Sequence, residues 1–201
     1  MRKVVLWVVA VAVVGAGCAC SPHVDAGSAS VVSGSGPIYT TLEQMGKKSS
    51  VLVIGRVTSN HVEIDRVPDD PEDKGVPMQI MGVDVADSRG DDVARHITVA
   101  ADTSTDDVIV EDSFPRFEIG TTYAFFLEGV PKSERVGLQN HGIIYTPIGG
   151  QETIFRITGD RAESLEKVYD DFDSGSTVVT TDVARILNTD IRGGNRVMHR
   201  S

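Results

Sequence analysis

The sequence contains very little cysteine. Of its 201 residues only Cys18 and Cys20 are cysteines, and both lie within the first twenty positions. A disulfide scaffold or a cysteine-ligated zinc site in the body of the protein is therefore excluded. Long hydrophobic runs are also scarce: the uncharged run over residues 4–19 is sixteen residues long. A membrane-spanning helix needs about 20 apolar residues, so a protein with several spans is excluded as well.

The sequence also has fewer basic than acidic residues. The chain has 19 Lys and Arg against 29 Asp and Glu, for a formal net charge of −10. This balance argues against a general nucleic-acid binder, which needs clustered cations to hold phosphates, and against electrostatic adhesion to anionic lipid. The hydrophobic fraction of 40% is enough for a packed core.

The N-terminus has the three parts of a secretory signal: Arg2 and Lys3, an aliphatic run, and small residues before Cys18. Residues 14–18 (VGAGC) resemble the lipobox of bacterial lipoproteins. The resemblance implies cleavage before Cys18 and attachment of fatty acyl chains such as palmitate to that cysteine. The protein would then be exported and anchored to the outer face of the bacterial cell membrane. Cys20, which follows Ala19, is the alternative acceptor, and a plain signal peptide with incidental cysteines is the other interpretation.

Composition divides the chain into four parts. Residues 1–17 are the expected signal peptide, and residues 18–37, rich in Ser, Gly and Ala, are expected to be a flexible tether. Residues 38–160 have the pattern of a β domain, and residues 161–201 are expected to form a C-terminal helix and a polar tail.

Short strand patterns dominate residues 38–160. A short helix is predicted over residues 40–45, capped by Thr40 or Thr41 and ending at Gly46. Aliphatic or alternating runs at 50–59, 78–87, 93–101, 121–128 and 153–158 can be threaded as a small five-stranded barrel. An amphipathic helix is predicted over residues 161–172 from the spacing of Leu165, Val168, Tyr169 and Phe172, and residues 181–187 suggest a further turn or two. The expected fold class is mainly β.

Three segments carry a second resemblance: residues 51–57 (VLVIGRV), residues 117–127 (FEIGTTYAFFL), and residues 145–147 followed by 155–157. They resemble bacterial secreted and lipoprotein domains that are similar to the OB-like barrel of the netrin and tissue-inhibitor-of-metalloproteinases class. The resemblance implies an OB-like barrel over residues 40–160. Inhibitors of that class work through a disulfide-tethered N-terminal cysteine, which this domain lacks. Protease inhibition is therefore not implied, and no functional residue is carried over.

Motifs for chemistry are few. The sequence has no nucleophile elbow, no phosphate loop and no His-Glu-x-x-His, so no catalytic residue, metal ligand set or cofactor is assigned. Two alternative functions remain open. One is an envelope hydrolase whose site is assembled from scattered carboxylates and His61, His96 or His141, with His61 and Glu63 on one strand face. The other is a calcium-responsive acidic surface domain, for which the candidate loop contains Asp69, Asp70, Glu72 and Asp73 at spacing unlike a calcium loop.

The aromatic residues Tyr123, Phe125 and Tyr145 are candidates for a binding face, with core packing as the other interpretation. The leading hypothesis is an exported, lipid-anchored binding or interaction module of the bacterial cell envelope with no evident catalytic centre. Its expected partners are the membrane, through the N-terminal lipid, and a protein or peptide, but not nucleic acid.

Overall fold

The computed structural model describes residues 30–32, 37–65, 75–130, 143–166, 180–192 and 196–198. The expected signal peptide, both cysteines, the acidic loop at 69–73 and His141 lie outside these residues.

The described residues form mainly β-structure, which confirms the predicted class. The two helices are α1 (Leu42–Lys48) and α2 (Val183–Leu187). A single 3-10 turn (Gln151–Thr153) precedes β8. The strands are β1 (Ser30–Val32), β2 (Val51–Asp65), β3 (Val76–Gly90), β4 (His96–Asp102), β5 (Val108–Val110), β6 (Thr122–Val130), β7 (Ile144–Pro147), β8 (Ile154–Thr158), β9 (Arg161–Ser164), β10 (Thr180–Asp182) and β11 (Arg196–Met198).

Five of the strands pair in a closed ring. β2, β3 and β4 form an antiparallel meander, and β6 lies antiparallel on the other edge of β2. β7 is parallel to β4 and antiparallel to β6, so the path from β2 returns to β2 through β3, β4, β7 and β6. The sequence threading placed residues 153–158 as the fifth strand. That position is wrong for the ring, because β8 pairs with the first half of β6 while β7 takes the second half and reaches β4.

The sheet continues past residue 160, where the sequence predicted an amphipathic helix over 161–172. Residues 161–164 are instead strand β9, antiparallel to β8, and β10 pairs with β9 in turn. Gly159, with φ of 63°, and Asp160 make the two-residue turn that sends the chain back along β8. The helix prediction was wrong for residues 161–164 because the hydrophobic positions on which it rested begin at Leu165, after β9 has ended. Residues 167–172 lie outside the described residues.

Successive side chains of the ring strands point to opposite faces, and they form three separate buried clusters. The first receives side chains from β2, β3, β4 and β6 and includes Val53, Val83, Val99 and Phe125, with Tyr145 of β7 packed against it. The second lies on the opposite face of β2 and β6 and is covered by α1 and α2; it includes Met45, Leu52, Phe126, Phe155 and Ile186. The third lies on the opposite face of β3 and β4 from the first and contains Met78, Ile80, Ala100 and Ile144.

Helix α1 begins at the second of the two predicted caps. The Thr41 hydroxyl accepts a hydrogen bond from the backbone N–H of Gln44 at 3.1 Å. The helix does not end at Gly46 as the sequence predicted, and it continues to Lys48. Gly46 is needed for close packing instead: a Cβ there would overlap the carbonyl oxygen of Asp190 and lie 2.8 Å from Cγ2 of Thr189.

A separate two-stranded sheet lies outside the ring. β1 pairs in parallel with β5, with Val31 opposite Ile109. Because β1 falls within residues 18–37, the predicted tether is not free along its whole length: Ser30–Val32 is paired to the domain.

We expect Gly46→Ala to lower the free energy of unfolding by about 1–3 kcal/mol, as overpacking does, although alanine is the better helix former. Chemical denaturation measures the change. Gly129→Ala is the matched control, because its Cβ would make only ordinary contacts, with Tyr145 Cε1 at 3.5 Å, Tyr145 Cδ1 at 3.8 Å and Ile143 Cγ2 at 4.0 Å. Equal effects of the two substitutions would contradict the close packing of α1.

Candidate functional site

The aromatic residues proposed for binding lie in or against the core. Tyr123 is 3% exposed and Phe125 is fully buried. Both rings pack on Phe117, with centroid distances of 5.2 Å and 5.9 Å. Tyr145 is half-buried against the same cluster. This placement favours the core interpretation for Tyr123 and Phe125, whose rings face no solvent.

The described histidines lie apart, on two different strands. His61 Nε2 is 2.7 Å from Glu63 Oε1, in agreement with their shared strand face, and His96 Nδ1 is 2.8 Å from Asp84 Oδ1. Both imidazoles are exposed. Across the described ranges no three His, Cys, Asp or Glu side chains come together as a metal site. The hydrolase and calcium alternatives stay predictions, since His141 and the acidic loop are outside the described residues.

Two adjoining concave sites share Phe114, and the first also borders Met78 and Ala100 of the third core cluster. The first, which we call the acidic cavity, has a volume of about 290 Å³. Its lining residues come from segments far apart in sequence: Pro37, Met78, Ala100–Asp102, Glu111, Asp112, Phe114 and residues 146–150. The second, which we call the polar groove, has a volume of about 560 Å³, and Phe114 lines both. The apolar part of the acidic cavity includes Met78 and Ala100, and its carboxylates come from Asp102, Glu111 and Asp112.

Half of the residues that line the polar groove carry hydroxyl or amide side chains. Its residues are Val62, Thr103–Asp106, Ser113–Arg116 and Gln151. Gln151 Nε2 donates to the Ser113 carbonyl at 2.8 Å and so joins the 3-10 turn before β8 to the segment after β5. Both concave sites therefore border the segment over residues 103–116 that carries β5.

A buried glutamine holds that segment against the β2–β3 hairpin. Gln79 is fully buried. Its Nε2 donates to the carbonyls of Phe114 and Pro115 at 3.3 Å and 2.9 Å. Its Oε1 accepts from the Phe117 N–H and from Asn60 Nδ2, each at 3.0 Å. Since Gln79 uses both donors and both acceptor sites, it fixes the backbone at the wall that the two concave sites share.

A buried carboxylate joins the N-terminal segment to the chain between β7 and β8. Glu152 is 1% exposed, and its Oε1 accepts from the backbone N–H groups of Tyr39 and Gly150 at 3.3 Å and 3.2 Å. Burial raises the pKa of Glu152 above its usual range, against the lowering effect of these N–H groups. Burial also raises the pKa of Tyr39, and the charge of Glu152 adds to that rise. Gly149 is close enough that a Cβ would be 2.9 Å from Glu152 Oε1.

Strand β5 is apolar and lies between two acidic pairs. Val108 and Val110 are buried, and Ile109 is 45% exposed. Asp106 and Asp107 precede the strand, Glu111 and Asp112 follow it, and all four side chains are exposed. Asp112 has φ of 59°, a left-handed conformation that aspartate tolerates better than most residues, at the turn closed by the Ser113 N–H and the Val110 carbonyl.

Sequence reasoning missed both concave sites and the pairing of β5. Their residues are joined only by tertiary structure, and no motif connects Pro37, Asp102 and Gly149. One usable signal was present: the short apolar run VIV at residues 108–110, between two pairs of acids.

Comparison of the chain with protein-family models, with curated proteins and with solved structures found no match. In the part of the chain that the structure describes, neither helix has the length and apolar character needed to cross a membrane.

We expect Gln79→Leu to destabilise the protein by about 2–4 kcal/mol, because it leaves a buried N–H and two carbonyls without their partner. Urea denaturation measures the change. Gln151→Leu is the matched control: it removes a single half-buried hydrogen bond, so a loss near or below about 1 kcal/mol is expected. The interpretation fails if the two variants are equally stable.

The raised pKa of Glu152 makes the free energy of unfolding depend on pH, and the direction of this dependence follows from the direction of the shift. The folded protein holds this proton more tightly than the unfolded chain, whose reference pKa is 4.5. Glu152 therefore contributes stability at acid pH that is lost as the pH rises through its folded pKa. Relative to wild type, Glu152→Gln should become more stable as the pH rises across that window.

Urea melts from pH 4 to pH 8 test the dependence on Glu152. Glu43→Gln is the control, because a hydrogen bond from Lys47 lowers the pKa of Glu43. The stability that Glu43 contributes is therefore lost as the pH falls, the opposite direction to that of Glu152. A difference between wild type and Glu152→Gln that stays constant with pH would contradict the assignment.

Proposed function

We propose that the protein is an exported, lipid-anchored binding module of the bacterial cell envelope whose partner is a protein or peptide. The observation that carries the binding role is the pair of concave sites that share Phe114. They join apolar surface to carboxylates and hydroxyls, which suits a peptide with both apolar and polar side chains. The acidic surplus of residues 38–160, 11 basic against 21 acidic residues, favours a partner of positive charge.

We further propose that the ring of β2, β3, β4, β7 and β6 is an OB-like barrel. Three features support this. The ring has five strands, its single parallel pair joins β4 to β7, and the cluster that it encloses is filled by aromatic and aliphatic side chains. Small OB-like barrels bind extended chains on an outer face, and both concave sites border residues 103–116, on the connection that leaves β4.

The proposed anchor rests on the leader sequence. Two acyl chains on one cysteine are enough for stable membrane attachment, whereas one chain gives only marginal binding. No positive surface patch is then required, which suits a chain of net charge −10.

We expect Cys18→Ala to abolish acylation and to move the protein from the detergent phase to the aqueous phase in a detergent partition experiment. Cys20→Ala is the matched control: it should stay in the detergent phase and keep the mass increment of the acyl chains. If Cys20→Ala is the variant that loses the lipid, the alternative acceptor is correct. If wild type itself carries no acyl mass increment and enters the aqueous phase, the protein is not lipid-anchored.

A further inference from the structure

We propose that the edge of β5 that pairs with β1 is a strand-addition site, which Ser30–Val32 of this chain occupies in cis and which an extended segment of a partner occupies in trans when it displaces β1. The partner segment has a short apolar centre with basic residues on both sides. This inference rests on the binding role proposed above and specifies the chemistry of the partner.

One edge of β5 is closed by the chain itself. The N–H of Val108 donates to the Thr105 hydroxyl at 3.2 Å, and the N–H of Val110 donates to the Ser104 hydroxyl at 3.0 Å. The Val108 carbonyl accepts from the Thr105 N–H at 2.8 Å. Because backbone groups alternate in direction along a strand, the N–H and carbonyl of Ile109 face the other edge, where β1 lies. β5 can therefore accept a strand on one side only.

The cis occupant shows which backbone geometry this edge accepts. β1 is parallel to β5, and Ser30, Val31 and Val32 are opposite Val108, Ile109 and Val110. With Val31 opposite Ile109, the slanted bonds of a parallel ladder join Ile109 to the residues on either side of Val31. We therefore expect the Val32 N–H to donate to the Ile109 carbonyl.

The negative charge at the two ends of β5 has no positive counterpart in the segment that contains β1. Asp106, Asp107, Glu111 and Asp112 are exposed at the two ends of the strand, and within the described residues none of the four forms an ion pair. Residues 26–37 (AGSASVVSGSGP) carry no charge. A partner segment with Lys or Arg on both sides of its apolar centre would pair with the backbone and with the four carboxylates.

The parallel direction leads an added strand toward the acidic cavity. Glu111 and Asp112, at the downstream end of β5, line that cavity, and so does Pro37, five residues after the end of β1. Met78 and Phe114 supply apolar surface there. A Lys or Arg side chain downstream of the added strand can lay its methylene groups on this surface and place its cation beside the carboxylates.

The cis segment competes at an effective concentration of about millimolar, because it is joined to the domain by a short linker. Removal of its strand-forming ability should therefore expose the edge. Val32→Pro removes the N–H that pairs with Ile109, whereas the matched control Val32→Ala keeps it.

The test measures binding of labelled peptides to the full chain in nonionic detergent by fluorescence anisotropy. The probe is KKSVVKK, and the controls are EESVVEE, with reversed charge, and KKSVPKK, which lacks the N–H of its second valine. We expect KKSVVKK to bind Val32→Pro at least fivefold more tightly than it binds wild type or Val32→Ala. We expect at least tenfold weaker binding of both control peptides, and a loss of KKSVVKK binding as salt is raised.

Several results would overturn the proposal. Equal binding of KKSVVKK and KKSVPKK would mean that charge alone attracts the peptide, and equal affinity for wild type and Val32→Pro would mean that β1 does not cover the site. Absence of binding to Val32→Pro would exclude the site altogether. A wild-type dimer that becomes monomeric in Val32→Pro would assign the edge to a second copy of the chain.

A substitution on β5 provides an independent check. Combined with Val32→Pro, Ile109→Pro should abolish KKSVVKK binding, because it removes the N–H that faces the β1 side of β5, whereas Ile109→Ala should preserve binding. If Ile109→Pro does not fold, the peptide series with the Val32 variants still decides. Equal binding of KKSVVKK and KKSVPKK would overturn strand addition and leave the proposed binding role standing, and detergent partition measures the proposed anchor separately.

Discussion

One edge of strand β6 is shared by two strands, β7 and β8, and the rest of the structure depends on this arrangement. β6 pairs with β8 through its first half and with β7 through its second half, and only β7 also reaches β4. Residues 148–153 connect these two strands and leave the sheet between them, so residues 148–150 form a wall of the acidic cavity and Glu152 lies beside the backbone of Tyr39. Ring closure, the cavity and the attachment of the N-terminal segment are thus consequences of a single change of pairing partner.

Much of the fold was predictable where side-chain pattern and local chemistry agree. The aliphatic run of β2, the aromatic run of β6 and the cap at Thr41 are set by residues adjacent in sequence. Gly46 and residues 161–164 were misassigned because tertiary contacts decided them. Gly46 is fixed by the close approach of Asp190, and residues 161–164 are fixed by a turn at Gly159 that offers the chain the free edge of β8.

The candidate site was less predictable than the fold, because no local pattern encodes it. Tyr123 and Phe125 attracted attention as aromatic residues, but strand alternation directs both toward the enclosed cluster. Gln79 looks unremarkable in sequence, and its importance comes from four hydrogen bonds to Asn60 and to the segment from Phe114 to Phe117. A short strand such as β5 carries too few residues for its period to be recognised, and its pairing with β1 is decided by tertiary structure.

If the protein is lipid-anchored as proposed, the attachment of β1 to β5 also limits how far the domain can stand from that anchor. With a lipid on Cys18, as proposed, the span up to β1 is residues 18–29, whereas release of β1 extends it to residues 18–36. At about 3.4 Å per fully extended residue, the maximum reach grows from about 41 Å to about 65 Å. A partner that displaced β1 would therefore lengthen the segment between the lipid and the domain. Binding at one short strand edge would then allow the domain to move farther from the bilayer.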